Sequence, residues 1–373
     1  MSVRLRDVVA FAFAMRCLAA AGVFAVFGHL PVSSRAADSP WQEIAPLPAG
    51  TAGFARGVAE GGPIVAGGNR WEGDSKITLD EVWGYQADAN QWKPHMHLPR
   101  PFSFGAHGSH QGALHLLGGD DGSMTRADLM VMSPSERAAD SIHGLPQPVA
   151  YAGSTVSAGI LYVLGGTEDV RAPLAMHAQF FGLNLVTREG LRLPSYPGGP
   201  VIHAALAAVG ERIFAFTGGR LEGSPPLLVN SDQAWRFDPR DRSWTALNPY
   251  PFPVRGLAAC PVDDRYILLA GGYRNSPFSG SQGAFTDQCY LYDVQDDRYH
   301  PLPPLPHAAM LVGLVRHGDF LYALGGEDRP RHRVSQGYRA SVFSLMIAAG
   351  VDVHGPESAK RTMEHWRTSS GAK

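Results

Sequence analysis

The sequence predicts an all-β fold of six stacked repeats, and three observations predict it. Six Gly-Gly pairs recur at near-constant intervals: Gly67-Gly68, Gly118-Gly119, Gly165-Gly166, Gly218-Gly219, Gly271-Gly272 and Gly325-Gly326, spaced 51, 47, 53, 53 and 54 residues apart. Each pair closes a short apolar run (PIVAGG, LHLLGG, LYVLGG, IFAFTGG, ILLAGG, LYALGG), as a buried strand ended by a turn would. With 43 Gly and 29 Pro in 373 residues, the chain is dense in turn formers, as many short strands require. A fixed period of about fifty residues marks units that bury their faces on one another.

The first residues stand apart from the repeats. Arg4 and Arg6 precede an apolar run that starts at Val8, is interrupted by Arg16, and resumes from Cys17 to Phe27. Ser34 and Ala36 then supply small residues for cleavage after Ala36 or Ala37. This order predicts a secretory signal peptide over residues 1–37 and a secreted or periplasmic mature chain; an uncleaved anchor is the alternative. Met15-Arg16 in front of Cys17 give no lipoprotein box. Loss of the leader removes four arginines and one aspartate from a chain of formal charge −2. No basic tract is left, so nucleic acid is not an expected partner. No later apolar run is long enough to span a membrane.

Each repeat divides into four strands, a to d. In the fifth, Arg255–Pro261 reads as a, Tyr266–Ala270 as b, Gln288–Val294 as c and Arg298–Pro301 as d. Aromatic pairs seven residues apart mark strands c and d: Tyr85 with Trp92, Phe237 with Trp244, Tyr292 with Tyr299. Such rings are expected to fill the wedge between neighbouring units. In the second and third repeats this part is degenerate, at Ser133–Arg137 and Val186–Gly190. A Leu-Pro step ends most repeats, at Leu98-Pro99, Leu145-Pro146, Leu193-Pro194 and Leu305-Pro306.

The sixth repeat has a strand c at Ala340–Met346, then neither Trp nor Leu-Pro. Residues Trp41–Pro48 supply both, as a strand d with no unit of its own. The N-terminal strand is therefore expected to complete the last unit and close the ring. Residues 350–373 are polar and read as a C-terminal tail. Cys260 and Cys289, on strands a and c of the fifth unit, lie two strand spacings apart, roughly 10 Å. That is beyond disulfide reach, so buried thiols are expected.

A short apolar strand ended by diglycine at this period resembles the kelch repeat. The resemblance implies that each unit is a blade and that residues 38–349 form a six-bladed kelch β-propeller. Alternating strands then put the b–c and d–a connections on one face. The b–c loops are the long ones, and long loops gathered on one face form the binding face of a repeat fold. They open with Asn69-Arg70-Trp71-Glu72, Asp120-Asp121, Thr167-Glu168-Asp169, Arg220-Leu221-Glu222, Tyr273-Arg274-Asn275 and Glu327-Asp328-Arg329. Beside them the innermost strands begin, at Arg56, Phe104, Tyr151, His203, Arg255 and His307. Arginine offers a bidentate fork to a carboxylate, and aromatic rings stack on the apolar faces of a sugar. Such a set suits a polar or anionic sugar.

The stretch from Gly271 to Ile347 is similar to the final third of the bacterial sialic-acid mutarotases (N-acetylneuraminate epimerases). The residues that carry this are Phe285-Thr286-Asp287 before strand c, Gly325-Gly326-Glu327 in the last blade, and the closing N-terminal strand. Gly67-Gly68-Asn69 followed by Trp71-Glu72-Gly73 also resembles first-blade loops of that family. The resemblance implies anomer interconversion of a reducing sugar by acid/base ring opening, without cofactor or metal. Under it, Glu327 is the acid/base group, with Glu222 or His307 as partner. Arg255, Arg220 and Arg274 anchor the substrate carboxylate, and Arg70, Trp71, Glu72, His203 and Tyr151 line the site. One departure stands out. The family tends to have Gly-Glu closing blade four with an Arg downstream, whereas this chain has Gly218-Gly219-Arg220 and places its Glu at 222.

The competing class is a non-catalytic glycan- or protein-binding module, which the same fold supports. A radical copper site would need a Cys beside a Tyr, yet Cys289 and Tyr290 are strand neighbours that point to opposite faces. His107, His110 and His115 resemble a metal cluster only in text. A hairpin turning at His110–Gly112, with His107 opposite Leu114, sends His115 to the other face.

Overall fold

The computed structural model describes residues 39–351 except 60, 134–137, 143–146, 174 and 277–280. The expected leader, and the expected tail from residue 352 onward, lie outside the described residues. Six four-stranded antiparallel sheets form the molecule, with almost no helix. It is a six-bladed β-propeller. Blade one runs Ala55–Ala59, Gly62–Ala66, Glu81–Gln86 and Gln91–His97, from the channel outward. Blade five keeps the same order with Ala258–Pro261, Tyr266–Ala270, Cys289–Asp293 and Arg298–Leu302. In blade six, Gly313–His317, Phe320–Leu324 and Gly337–Ser341 are joined by Gln42–Ile44. That outer strand pairs antiparallel, with Gln42 opposite Arg339 and Ile44 opposite Gly337.

Aromatic residues hold the blades apart at a fixed wedge. Tyr85 and Trp92, Phe237 and Trp244, and Tyr292 and Tyr299 face one another across strands c and d, with ring centroids 5.2, 5.2 and 4.8 Å apart. The first ring of each pair is fully buried and reaches the previous blade, Tyr85 to Tyr322, Phe237 to Phe180 and Tyr292 to Phe216. Burying such side chains contributes about 1.5–3 kcal/mol each. The indole of Trp92 also donates to the Ala45 carbonyl at 3.0 Å, tying the outer strand of blade six to blade one.

Diglycine closes the ring because its second N–H donates to the next blade. Gly68 bonds Phe102 O, Gly119 bonds Val149 O, Gly166 bonds Val201 O, Gly272 bonds Ala309 O and Gly326 bonds Thr51 O, at 2.7–3.0 Å. In blade four the donor is Gly218, to Val254 O at 3.0 Å. The preceding residue, Thr217, takes the left-handed φ of +59° that the first glycine has elsewhere. The functional pair of blade four is therefore Thr217-Gly218, one residue earlier than the text reading, and a bulge between Phe216 and Gly218 absorbs the shift.

Two further readings are corrected, and the two degenerate stretches are resolved. Blade two has its outer strand at Ala138–Ile142 and blade three at Gly190–Arg192, where the degenerate stretches end. In blade three the stretch follows an Asx turn, since Asn184 Oδ1 accepts from the N–H groups of Val186 and Thr187 at 2.9 Å. The last strand c ends at Ser341, and residues Val342–Ala348 form a helix. Ser341 caps it by accepting from Ser344 N, and Leu345 and Met346 are buried. His107 pairs with Leu116 rather than Leu114, because the hairpin turns on Gln111-Gly112 alone. His115 still faces away from His107. Cys260 and Cys289 are free and buried.

Candidate functional site

The channel mouth is built from two stacked rings of equivalent residues. The lower ring is Gly53, Phe104, Tyr151, His203, Gly256 and Leu311, all with φ between +53° and +69°. This left-handed turn lets five of the six N–H groups reach the previous blade's carbonyl: Phe104 to Gly53, Tyr151 to Phe104, His203 to Tyr151, Gly256 to His203 and Leu311 to Gly256, at 2.7–3.1 Å. For the four residues with a Cβ that conformation costs energy, and the inter-blade bonds hold it. The upper ring is the residue after each glycine pair: Asn69, Asp120, Thr167, Gly219, Tyr273 and Glu327. Each is bridged to the d–a connection of its own blade.

Glu327 is the acidic centre of this mouth. Its carboxylate meets the Arg333 guanidinium at 2.6 Å, with 19% and 6% of the two side chains exposed. Arg333 also donates from Nε to Asn69 Oδ1 at 2.9 Å, and Asn69 in turn holds the Ala52 carbonyl. Burial raises the Glu327 pKa, and the favourable fields of Arg333 and Arg255 only partly offset it. Both arginines are pulled below their usual values, first by desolvation.

Arg255 fills the space that blade four leaves open at Gly219, its Cδ 3.4 Å from where a Cβ would sit. Its guanidinium donates to Asn230 Oδ1 at 2.9 Å and lies 4.6 Å over the Tyr273 ring. Across the mouth, Tyr151 lies between Phe104, edge-on at 4.8 Å, and His203, tilted at 4.6 Å. Burial pushes its phenol up to about 12, and the charges of Asp120, Arg333 and Glu327 all act on it. His203 is held neutral, with a pKa of about 3, by burial and then by Arg255. Lys76 pairs with buried Asp120 at 3.2 Å and sits 5.5 Å over the Phe104 ring.

Of the residues picked from the sequence, Glu327, Arg255, Tyr151 and His203 therefore share one electrostatic unit. The others are engaged at the rim. Glu222 pairs with Arg220 at 2.5 Å in the blade-four hairpin. His307 pairs with Asp328 at 3.0 Å, and Asp328 binds His332 at 2.5 Å through its other oxygen. Arg274 lies 4.1 Å over Phe252. Arg70 pairs with Glu72 at 2.8 Å, and Trp71 lies beneath Arg331, 5.1 Å away. Arg56 is not at the mouth; it lies deeper in the channel against His107.

Sequence reasoning missed Arg333 and Asn230, and named Asn69 as a loop opener without giving it a role in the site. Arg333 was the more accessible of the two to inference. The blade-six loop folds as a short hairpin that puts Glu327 directly opposite Arg333, so pairing the loop as a hairpin would have found it. Among the described residues, no group of three or more His, Cys, Asp or Glu side chains is placed to hold a metal ion. No described helix is long and apolar enough to cross a membrane.

No family model matches the chain. Individual relatives do. Over 217 residues, 57% of the chain, it is 22% identical to beta-scruin of Limulus polyphemus, covering 22% of that protein. It is 26% identical over 91 residues to Kelch-like protein 35 of Mus musculus, covering 24% of the chain and 15% of the relative. The fold is that of a kelch-type propeller. Similarity to N-acetylneuraminate epimerases is distant but recurs. It is 29% identity over 98 residues with the Vibrio cholerae protein, 26% of each chain. With the Brucella suis protein it is 25% over 178 residues, 39% of this chain and 46% of the relative. The matched stretches span less than half the length of each of these relatives.

Proposed function

We propose that this kelch-type propeller is exported and interconverts the anomers of a sialic-acid-type sugar at the channel mouth. The observation that carries the reading is the ion pair of the half-buried Glu327 with Arg333, with the charge of Arg255 also acting on that carboxylate. A carboxyl whose pKa is raised toward neutrality is suited to exchange protons with a hydroxyl. In the ring-opening step the ionised Glu327 takes the proton of the anomeric hydroxyl while the C–O bond to the ring oxygen breaks. The Glu327 carboxyl then gives that proton to the ring oxygen, and the reverse transfers with reclosure on the other face of the carbonyl give the second anomer and restore the carboxylate. Arg255 and Arg333 are the cations available to the sugar carboxylate, and the Tyr151–Phe104–His203 wall presents apolar ring surface. Glu222 and His307 would serve as proton partners only by leaving Arg220 and Asp328.

The distant similarity to N-acetylneuraminate epimerases supports this choice of sugar. A second reading, a glycan- or protein-binding module without catalysis, is favoured by the paired charges around the rim. Proton NMR of freshly dissolved α-N-acetylneuraminate separates the two. Faster anomer exchange with purified protein supports the enzyme. Saturable shifts without faster exchange leave a binder, and neither effect removes the sugar from both readings.

A further inference from the structure

Tyr151 brings to the mouth a hydroxyl that the fold itself does not use. It precedes Gly153–Ser157, the innermost strand of blade three, while Glu327 follows the glycine pair of blade six. In a ring of six blades those two positions are diametrically opposite, so a ligand on the channel axis lies between them. The backbone commits Tyr151 to this place. Its φ is +59°, at a position where blades one and five carry Gly53 and Gly256, and an aromatic residue takes that conformation only under constraint. Its N–H donates to Phe104 O at 2.9 Å, and its carbonyl accepts from His203 N at 2.8 Å. The rings of Phe104 and His203 flank the phenol on its two sides.

Among the described residues the Tyr151 hydroxyl has no hydrogen-bond partner, and it is not sealed from water. Tyrosines in the seams between blades are engaged instead. Tyr85 donates to Asn90 and Tyr292 to Asp297, each at 2.7 Å, and Tyr299 donates to Asn248 O at 2.9 Å. Tyr151 lines the cavity that opens at the mouth. The charges that act on its phenol, Asp120, Arg333 and Glu327, belong to the upper ring and the blade-six hairpin, so the hydroxyl is directed toward that level. Burial keeps the phenol un-ionised at neutral pH, and a neutral phenol is a hydrogen-bond donor.

We propose that Tyr151 is a second catalytic residue of the mouth, its hydroxyl donating a hydrogen bond to the ring oxygen of the sugar opposite Glu327. This assignment rests on the mutarotase reading. Negative charge develops on the ring oxygen as its bond to the anomeric carbon breaks, and a donor already fixed there stabilises that charge without reorganisation. Glu327 has by then taken the proton of the anomeric hydroxyl and delivers it to the same oxygen from the other side. Tyr151 keeps its own proton throughout, so the residue returns unchanged and no co-reactant is needed.

Tyr151→Phe removes the hydroxyl and keeps the ring between Phe104 and His203. Anomer exchange of N-acetylneuraminate, followed by NMR over a range of sugar concentrations, should show kcat lowered about 100-fold with KM little changed. That is the scale of removing one donor from an oxyanion site, and the pattern of a contact made in the transition state. Fluorotyrosine incorporated at position 151 supplies the second reading, since it preserves the hydroxyl and makes it a stronger donor. Exchange equal to or faster than that of the unaltered chain is expected there. Loss of exchange in both altered proteins would mark a packing effect and overturn the role. Full exchange in Tyr151→Phe, with Glu327→Gln still impaired, overturns Tyr151 alone and leaves the mutarotase reading standing. No acceleration by the unaltered chain overturns both.

Discussion

Removing Arg333 should expose what Glu327 costs the fold. In Arg333→Met the carboxylate loses its 2.6 Å partner and stays largely buried. Breaking a buried pair from one side typically costs 3–5 kcal/mol, because the remaining charge is left uncompensated. Arg255 still acts on Glu327, so the lower end applies, about 3 kcal/mol. Glu327→Gln leaves Arg333 with its bond to Asn69 Oδ1 and should cost less, about 1–2 kcal/mol. The double variant removes both charges and should be more stable than the sum predicts, with a coupling of about 1.5–3 kcal/mol. The pH dependence has a definite sign. Glu327 has a raised folded-state pKa, so its neutral form is favoured by folding, and stability falls as pH rises through that value. In Arg333→Met the pKa rises further, so the deficit should be large at pH 7.5 and shrink toward pH 4. Urea denaturation of the four proteins at both pH values is the assay. Additive costs with no pH dependence would refute the buried pair.

Other outcomes follow from the same structure. Gly165→Ala places a Cβ 2.1 Å from the Val201 carbonyl at a φ of +67°, next to the Gly166 inter-blade bond. A loss of about 2–4 kcal/mol is expected, read as a lower thermal midpoint, whereas an unchanged midpoint would count against the closing role of the diglycine. Asp293, which is 2% exposed, accepts from Arg265 at 2.6 Å and from Gln295 N at 2.9 Å, and its pKa is lowered. Asp293→Asn should cost about 1–3 kcal/mol at neutral pH, discounted for the solvent that reaches Arg265. That difference should fade as pH falls through the depressed pKa, where the native carboxylate also takes a proton. Burial pushes the Cys260 thiol up to about 11 and that of Cys289 higher still. Both should resist thiol reagents at neutral pH until denaturant is added; rapid labelling of the folded chain would contradict their burial.

The period of the glycine pairs made the blade count legible, because each pair does the same mechanical task at every seam. It misled by one residue in blade four, where Thr217 adopts a glycine conformation that composition does not announce. The terminal helix was missed for a related reason. Val342–Met346 is an apolar run that reads as strand by content, and Ser341 turns it into a helix through a single side-chain cap. At the site, residues beside the diglycine were legible because their register is fixed by that pair. Arg333 and Asn230 do not adjoin a diglycine: Arg333 reaches Asn69 across the seam between blades six and one, and Asn230 meets Arg255 between blades four and five. The deeper placement of Arg56 follows from the position of the left-handed turn, which sits at Gly53 and not three residues later.

The most direct test of the central claim is the pH–rate profile of N-acetylneuraminate anomer exchange, measured by NMR for the unaltered chain and for Glu327→Gln. General acid/base groups typically contribute 10²–10⁴-fold. The account predicts a limb in the profile governed by a carboxyl titrating above the ordinary range. Glu327→Gln should lower exchange by about 100-fold or more and remove that limb. Equal rates and equal profiles in the two proteins would contradict Glu327 as the proton carrier, and with it the assignment of the channel mouth as a catalytic site.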